Sequence, residues 1–134
     1  MQTITINQKD YFYDQDSIIS FAEGLIGLPE MRRAVLVEIS ESEPFCWLAS
    51  LENENIQFIV VNPDEIFAGY QPFKGGESND GNMRALAIVK LSSEWTNTTI
   101  NLRAPIIFNN ETKDGAQVIL SDSNYQFAES LPHN

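Results

Sequence analysis

The chain contains one cysteine, Cys46, and one histidine, His133, in 134 residues. A single cysteine makes no internal disulfide, so nothing in the cysteine content points to an oxidising compartment. His133 stands second from the end of the sequence, where chains fray. These two scarcities exclude Cys–His and Ser–His–Asp catalysis and any His-based metal site. No cofactor is expected. Basic residues are also few: 8 Lys and Arg face 19 Asp and Glu, for a formal net charge of −11. A nucleic-acid reader needs clustered Lys and Arg to displace counterions, and eight scattered ones form no patch, so direct nucleic-acid binding is excluded. An anionic membrane surface would repel the chain. No apolar run approaches the ~20 residues of a membrane span. Gln2-Thr3-Ile4-Thr5 after Met1 has neither the basic start nor the apolar stretch of a signal peptide. The expectation is a soluble cytoplasmic protein whose acidity would attract a basic protein partner.

Hydrophobic residues make up 43% of the chain, enough for a packed core in one domain of residues 1–134. Strand-like runs dominate: Thr3–Asn7, Ser17–Phe21, Ala34–Ile39, Phe45–Leu51, Ile56–Val61, Met83–Leu91, Thr98–Leu102, Ile106–Asn109 and Ala116–Ser121. They are short, rich in β-branched and aromatic residues, and punctuated by polar, Gly and Pro residues. The pattern predicts an all-β fold, a small antiparallel barrel-like domain of eight or nine strands. One or two helical turns are expected. Asn62-Pro63-Asp64-Glu65 has a capping Asn, a Pro at the first helical position and acids at the positive end of the dipole. Pro29–Arg33 offers a second turn. The stretch 71–82, with Pro72, Gly75, Gly76 and Gly81, reads as a long mobile loop.

Short connections make consecutive strands antiparallel neighbours. Ala34–Ile39, Phe45–Leu51 and Ile56–Val61 then form a meander. The turn Ser40–Pro44 and the helix start at Asn62 fall at one end, and the turn Glu52–Asn55 falls roughly 20 Å away at the other. Glu41, Glu43, Asp64 and Glu65 should crowd the first rim, as a docking site for a basic partner or as a solvated end. Arg32 and Arg33 should lie beside Glu52 and Glu54 at the opposite end. Trp47, inside an apolar strand, reads as core, and Trp95, in the polar stretch Ser92–Asn97, as partly exposed. Cys46 has no adjacent base and reads as a small core residue. Gly24-Leu25-Ile26-Gly27 lacks the Lys of a phosphate loop. Pro105 removes a ladder donor between two strand-like runs and should mark a bend, bulge or sheet edge.

Several segments, in order, resemble one family: Phe21–Leu28, Pro44-Phe45-Cys46-Trp47-Leu48-Ala49-Ser50, Asn62-Pro63, Asn101-Leu102-Arg103-Ala104-Pro105-Ile106-Ile107-Phe108-Asn109 and Gln117-Val118-Ile119-Leu120. Together they resemble the flagellar assembly factor FliW family across nearly the whole chain. The family often has Gly-Phe-Glu where this chain has Gly27-Leu28-Pro29, a change of one packing residue and its turn. The resemblance implies a barrel-like β fold, no enzymatic activity and two mutually exclusive protein partners. One is flagellin; the other is CsrA, an RNA-binding translational repressor that FliW-type proteins hold off flagellin messenger RNA. The alternatives on composition and strand count are a small hydrolase, disfavoured by the missing base, and an OB-like ligand-binding module, disfavoured by the charge.

Overall fold

The computed structural model describes residues 2–39, 41–72, 82–121 and 123–131. Most of the expected loop at 71–82 lies outside these residues, as do Ser40, His133 and the C-terminal end expected to fray. The described residues form eleven strands: β1 Gln2–Ile6, β2 Lys9–Tyr13, β3 Ile18–Phe21, β4 Arg33–Glu38, β5 Cys46–Ser50, β6 Gln57–Val61, β7 Met83–Lys90, β8 Thr99–Ile100, β9 Ile106–Asn109, β10 Asp114–Gln117 and β11 Glu129–Ser130. The only helical pieces among the described residues are 3-10 turns at Gln15–Ser17, Pro63–Glu65 and Trp95–Asn97.

Strands β3 to β7 follow one another as antiparallel neighbours. Strand β7 then pairs with β9, β9 with β10, and β10 returns to β3. The sheet thus closes as a seven-stranded barrel. The closing pair, β10 with β3, is parallel, whereas sequence reading expected antiparallel pairing throughout. It joins residues more than ninety positions apart, so no short turn dictates its direction. Gly115 sits at this closure because a Cβ there would lie 2.9 Å from Phe21 Cε1 and 3.1 Å from Phe108 Cβ.

Every second residue of the barrel strands points inward, the period of a pleated sheet. Ile19 and Phe21, Ala34 and Leu36, Cys46 and Leu48, Phe58 and Val60, Leu86 and Ile88, and Ile106 and Phe108 fill the interior. The alternate residues face outward, and two parts of the chain cover them. The β1–β2 hairpin lays Ile4 and Ile6 over Val35, Val37 and Ala49 on the outer face of β4 and β5. The segment after β6 and the C-terminal segment bury Val61, Ala87, Val89 and Ile100 beneath Tyr70 and Leu131.

Trp47 belongs to the first of these covers: it is partly buried under the hairpin, outside the barrel interior. The hairpin turn Asn7-Gln8 has φ of 50° and 70°, the doubly left-handed geometry that suits the twist of two adjoining strands. Pro29–Arg33 makes no helical turn. Leu25 and Leu28 form an isolated bridge there, and Met31 N–H donates to the Leu28 carbonyl at 3.1 Å. Gly24 permits this compact loop: its φ is +70°, and a Cβ would lie 2.5 Å from the Pro29 carbonyl oxygen. Pro105 is buried at the bend between β8 and β9, where its carbonyl accepts from Val118 N–H at 3.0 Å.

Candidate partner-binding surface

The register fixes the two ends of the meander. Glu38 pairs with Cys46 and Cys46 with Val60, so the turn after β4 and the turn after β6 emerge at one end. Glu41 and Glu43 lie on the first turn and Asp64 and Glu65 on the second, and all four are exposed. The second turn is held as its sequence implied. Asn62 Oδ1 accepts from Asp64 N–H at 3.0 Å, and Pro63 occupies the first turn and is buried. Among the described residues, Glu41, Glu43 and Glu65 make no side-chain hydrogen bond or ion pair. The structure therefore brings the four predicted carboxylates to one end and leaves their charge unpaired there. At the opposite end, Arg33 Nε lies 3.3 Å from Glu52 Oε2, the one ion pair among the described residues.

Behind the acidic end, Tyr70 anchors the segment that follows the 3-10 turn. Its buried hydroxyl donates to the Leu102 carbonyl at 2.5 Å, and its ring lies 4.7 Å from that of Tyr125. Burial, with smaller contributions from Tyr125 and Asp64, raises the phenol above its ordinary range, so it stays neutral and a donor. Cys46 faces the barrel interior, where burial and then Glu38 raise its thiol. A raised thiol is a poor nucleophile, consistent with a packing role. Among the described residues, no group of three His, Cys, Asp or Glu side chains could hold a metal ion, and no helix is long and apolar enough to cross a membrane.

A groove of about 250 Å³ opens beside the first acidic turn, lined by Ile39, Ser42, Phe45, Ile59, Leu91 and Trp95. Phe45 and Trp95 meet edge to face, with centroids 6.0 Å apart and planes at 85°. Trp95 is 52% exposed, and Leu91, next to it in the groove, 53%. The exposure of Trp95 was legible from its polar neighbours; its approach to Phe45 was not. A second apolar hollow opens at the other end, where Leu25, Ile26, Phe58, Ile88, Ile119 and Phe127 meet. Gln117 ties that end together: its Oε1 accepts from Ile26 N–H at 2.9 Å and its Nε2 donates to the Ala104 carbonyl at 3.0 Å.

Comparison with known proteins agrees with this architecture. The model of the FliW protein family matches residues 3–131. The flagellar assembly factor FliW of Clostridium beijerinckii is 35% identical over 139 residues, covering 98% of each chain. That of Bacillus subtilis is 34% identical over 119 residues, covering 83% of this chain and 82% of the relative. A crystal structure of the flagellar assembly factor FliW superposes with a TM-score of 0.85 over 99% of both chains at 24% identity, which supports the shared fold. With a family model that spans nearly its whole length and full-length relatives at about a third identity, the chain belongs to the FliW family of flagellar assembly factors.

Proposed function

We propose that this chain is a cytoplasmic, monomeric, single-domain binding protein with no catalytic activity and no cofactor. It binds flagellin and antagonises the translational repressor CsrA in a partner switch. The observation that supports this reading most is family membership across residues 3–131 combined with four exposed carboxylates at one end of the barrel. Glu41, Glu43, Asp64 and Glu65 face CsrA in this reading. Their unpaired charge accelerates encounter with a basic partner more than it adds to final affinity.

Flagellin and CsrA exclude each other by overlap or near-overlap of their sites. A close-packed barrel with apolar residues from six strands in its interior offers no evident second state to carry a signal between distant sites. Overlap and long-range coupling differ in a titration. With overlap, the apparent Kd for CsrA rises without limit as flagellin is added; with coupling it reaches a plateau, because the coupling free energy is finite. The test is a titration of CsrA against the protein at rising flagellin concentrations. A continuing rise is expected. Co-elution of all three proteins as a stable complex on a sizing column contradicts the switch.

A further inference from the structure

The groove between Phe45 and Trp95 has a surface chemistry that the acidic rim alone does not explain. Carboxylates at a turn need no partner, because water solvates them. A half-exposed Trp and a half-exposed Leu lining one concavity are different, since each leaves apolar area in water that a partner could remove. The fold accounts for the gap. On the outer face of the sheet, Ile59 pairs with Trp47 on one side and Val89 on the other. Trp47 is covered by the N-terminal hairpin and Val89 by the C-terminal segment. The groove lies on the seam between the two covers.

Its border is acidic. Ser42 on the groove wall is bracketed in sequence by Glu41 and Glu43, and Trp95 is preceded by Glu94. All three acids are exposed, and none forms an ion pair among the described residues. Lys90, ahead of Leu91, is the one base adjoining a lining residue on the chain. At about 250 Å³ the groove is smaller than the roughly 300–1,000 Å³ of small-molecule sites. It has room for one or two side chains. An apolar floor with an anionic border complements a segment that carries an apolar side chain between Lys or Arg residues. Exposed Trp in such a setting is a typical centre of binding energy.

We propose that the Phe45–Trp95 groove is an anchor pocket for an apolar side chain on a Lys/Arg-bearing segment of a protein partner, with Glu41, Glu43 and Glu94 engaging the flanking cations. The inference rests on the reading of the chain as a binder of a basic protein. It adds a division of labour: the acids govern arrival, and the groove governs departure. A pocket filled only after docking alters dissociation, whereas long-range charge alters association.

The experiment measures association and dissociation rates of CsrA with the wild-type chain and with Trp95→Ala, Trp95→Phe and Ser42→Phe. Trp95→Ala empties one wall, and Ser42→Phe fills the groove from an exposed position that asks nothing of the fold. Both should raise the dissociation rate about tenfold and leave the association rate within about twofold. Trp95→Phe should restore most of the loss. Circular dichroism confirms the fold of each variant. Dissociation unchanged in both Trp95→Ala and Ser42→Phe, with native spectra, overturns the pocket while CsrA binding stands. Absence of CsrA binding by the wild-type chain overturns the proposed function itself, and the pocket with it. A concentration-dependent dimer of the free protein that Trp95→Ala abolishes would assign the groove to a second copy and overturn the proposal.

Discussion

The two ends of the barrel are built from similar materials and used differently. At the Gln117 end, segments distant in sequence are tied to one another. Gln117 bridges Ile26 and Ala104, and Arg33 pairs with Glu52. Both ends carry an apolar hollow, but at the Glu41 end the carboxylates of Glu41, Glu43 and Glu65 have no hydrogen-bond or ion-pair partner among the described residues, and the groove beside them is walled by the exposed Trp95 and Leu91. Polar groups engaged with one another hold a fold together; polar groups left unengaged cost little at the surface and remain free to meet another molecule. Surface charge that the fold does not use marks the end of the barrel where a charged partner has most to gain.

This contrast can be broken by substitutions, in order of expected effect. Phe21 is 1% exposed and closes the interior against Gly115 near the Gln117 end. Phe21→Ala should cost about 3–5 kcal/mol of stability, measured by urea unfolding. Gln117→Ala removes a donor and an acceptor that serve two backbone groups, and should cost about 1–3 kcal/mol. A Gln117→Ala chain as stable as wild type would refute the claim that this end is tied by that side chain.

Tyr70 supplies a subtler test at the acidic end. Its folded-state pKa lies above the ordinary value of about 10, so the folded chain holds this proton where the unfolded chain releases it. Its stabilising contribution is complete below about pH 10 and declines as the pH rises beyond that. Tyr70→Phe should lower stability at neutral pH by about 1 kcal/mol and flatten the alkaline decline. Unfolding curves between neutral pH and the alkaline limit distinguish this from a merely steric role.

The smallest expected effect on stability is at the acids. Reversing Glu41, Glu43, Asp64 and Glu65 to Lys should lower the melting transition only slightly, because the four side chains are exposed and the loss is confined to the favourable charge of Asp64 and Glu65 at the start of the Pro63–Glu65 turn. Glu41 has φ of 64°, a left-handed conformation in which Lys fares about as Glu does.

The barrel wall was largely legible. Strands β4, β5 and β6 follow from alternation of buried and outward residues, and Asn62-Pro63 announced its turn through the chemistry of its cap. Strand β2 has no turn signature in the sequence, because its hairpin turn is Asn7-Gln8 rather than an Asn-Gly pair. Strand β10 was expected at Ala116–Ser121, where the apolar run stands. It occupies Asp114–Gln117 instead, and Val118 and Leu120 donate singly to the Pro105 and Arg103 carbonyls. Its Asp-Gly-Ala-Gln sequence has no strand-forming residue; tertiary closure against Phe21 and Phe108 overrides local preference. The acidic end was predictable from turn order alone. The groove was not, since Phe45 and Trp95 meet through the pairing of three strands and no local pattern carries that information.

In the proposed function the unpaired acids at the Glu41 end meet a basic protein partner. Association rates of CsrA, measured at rising salt for the wild-type chain and for the Glu41, Glu43, Asp64, Glu65 to Lys variant, test it most directly. The wild-type rate should fall steeply as salt screens the field, and the variant should associate about tenfold more slowly at low salt with a flattened dependence. Equal rates and equal salt dependence, with native circular dichroism for both, would rule out the Glu41 end as the surface that meets CsrA.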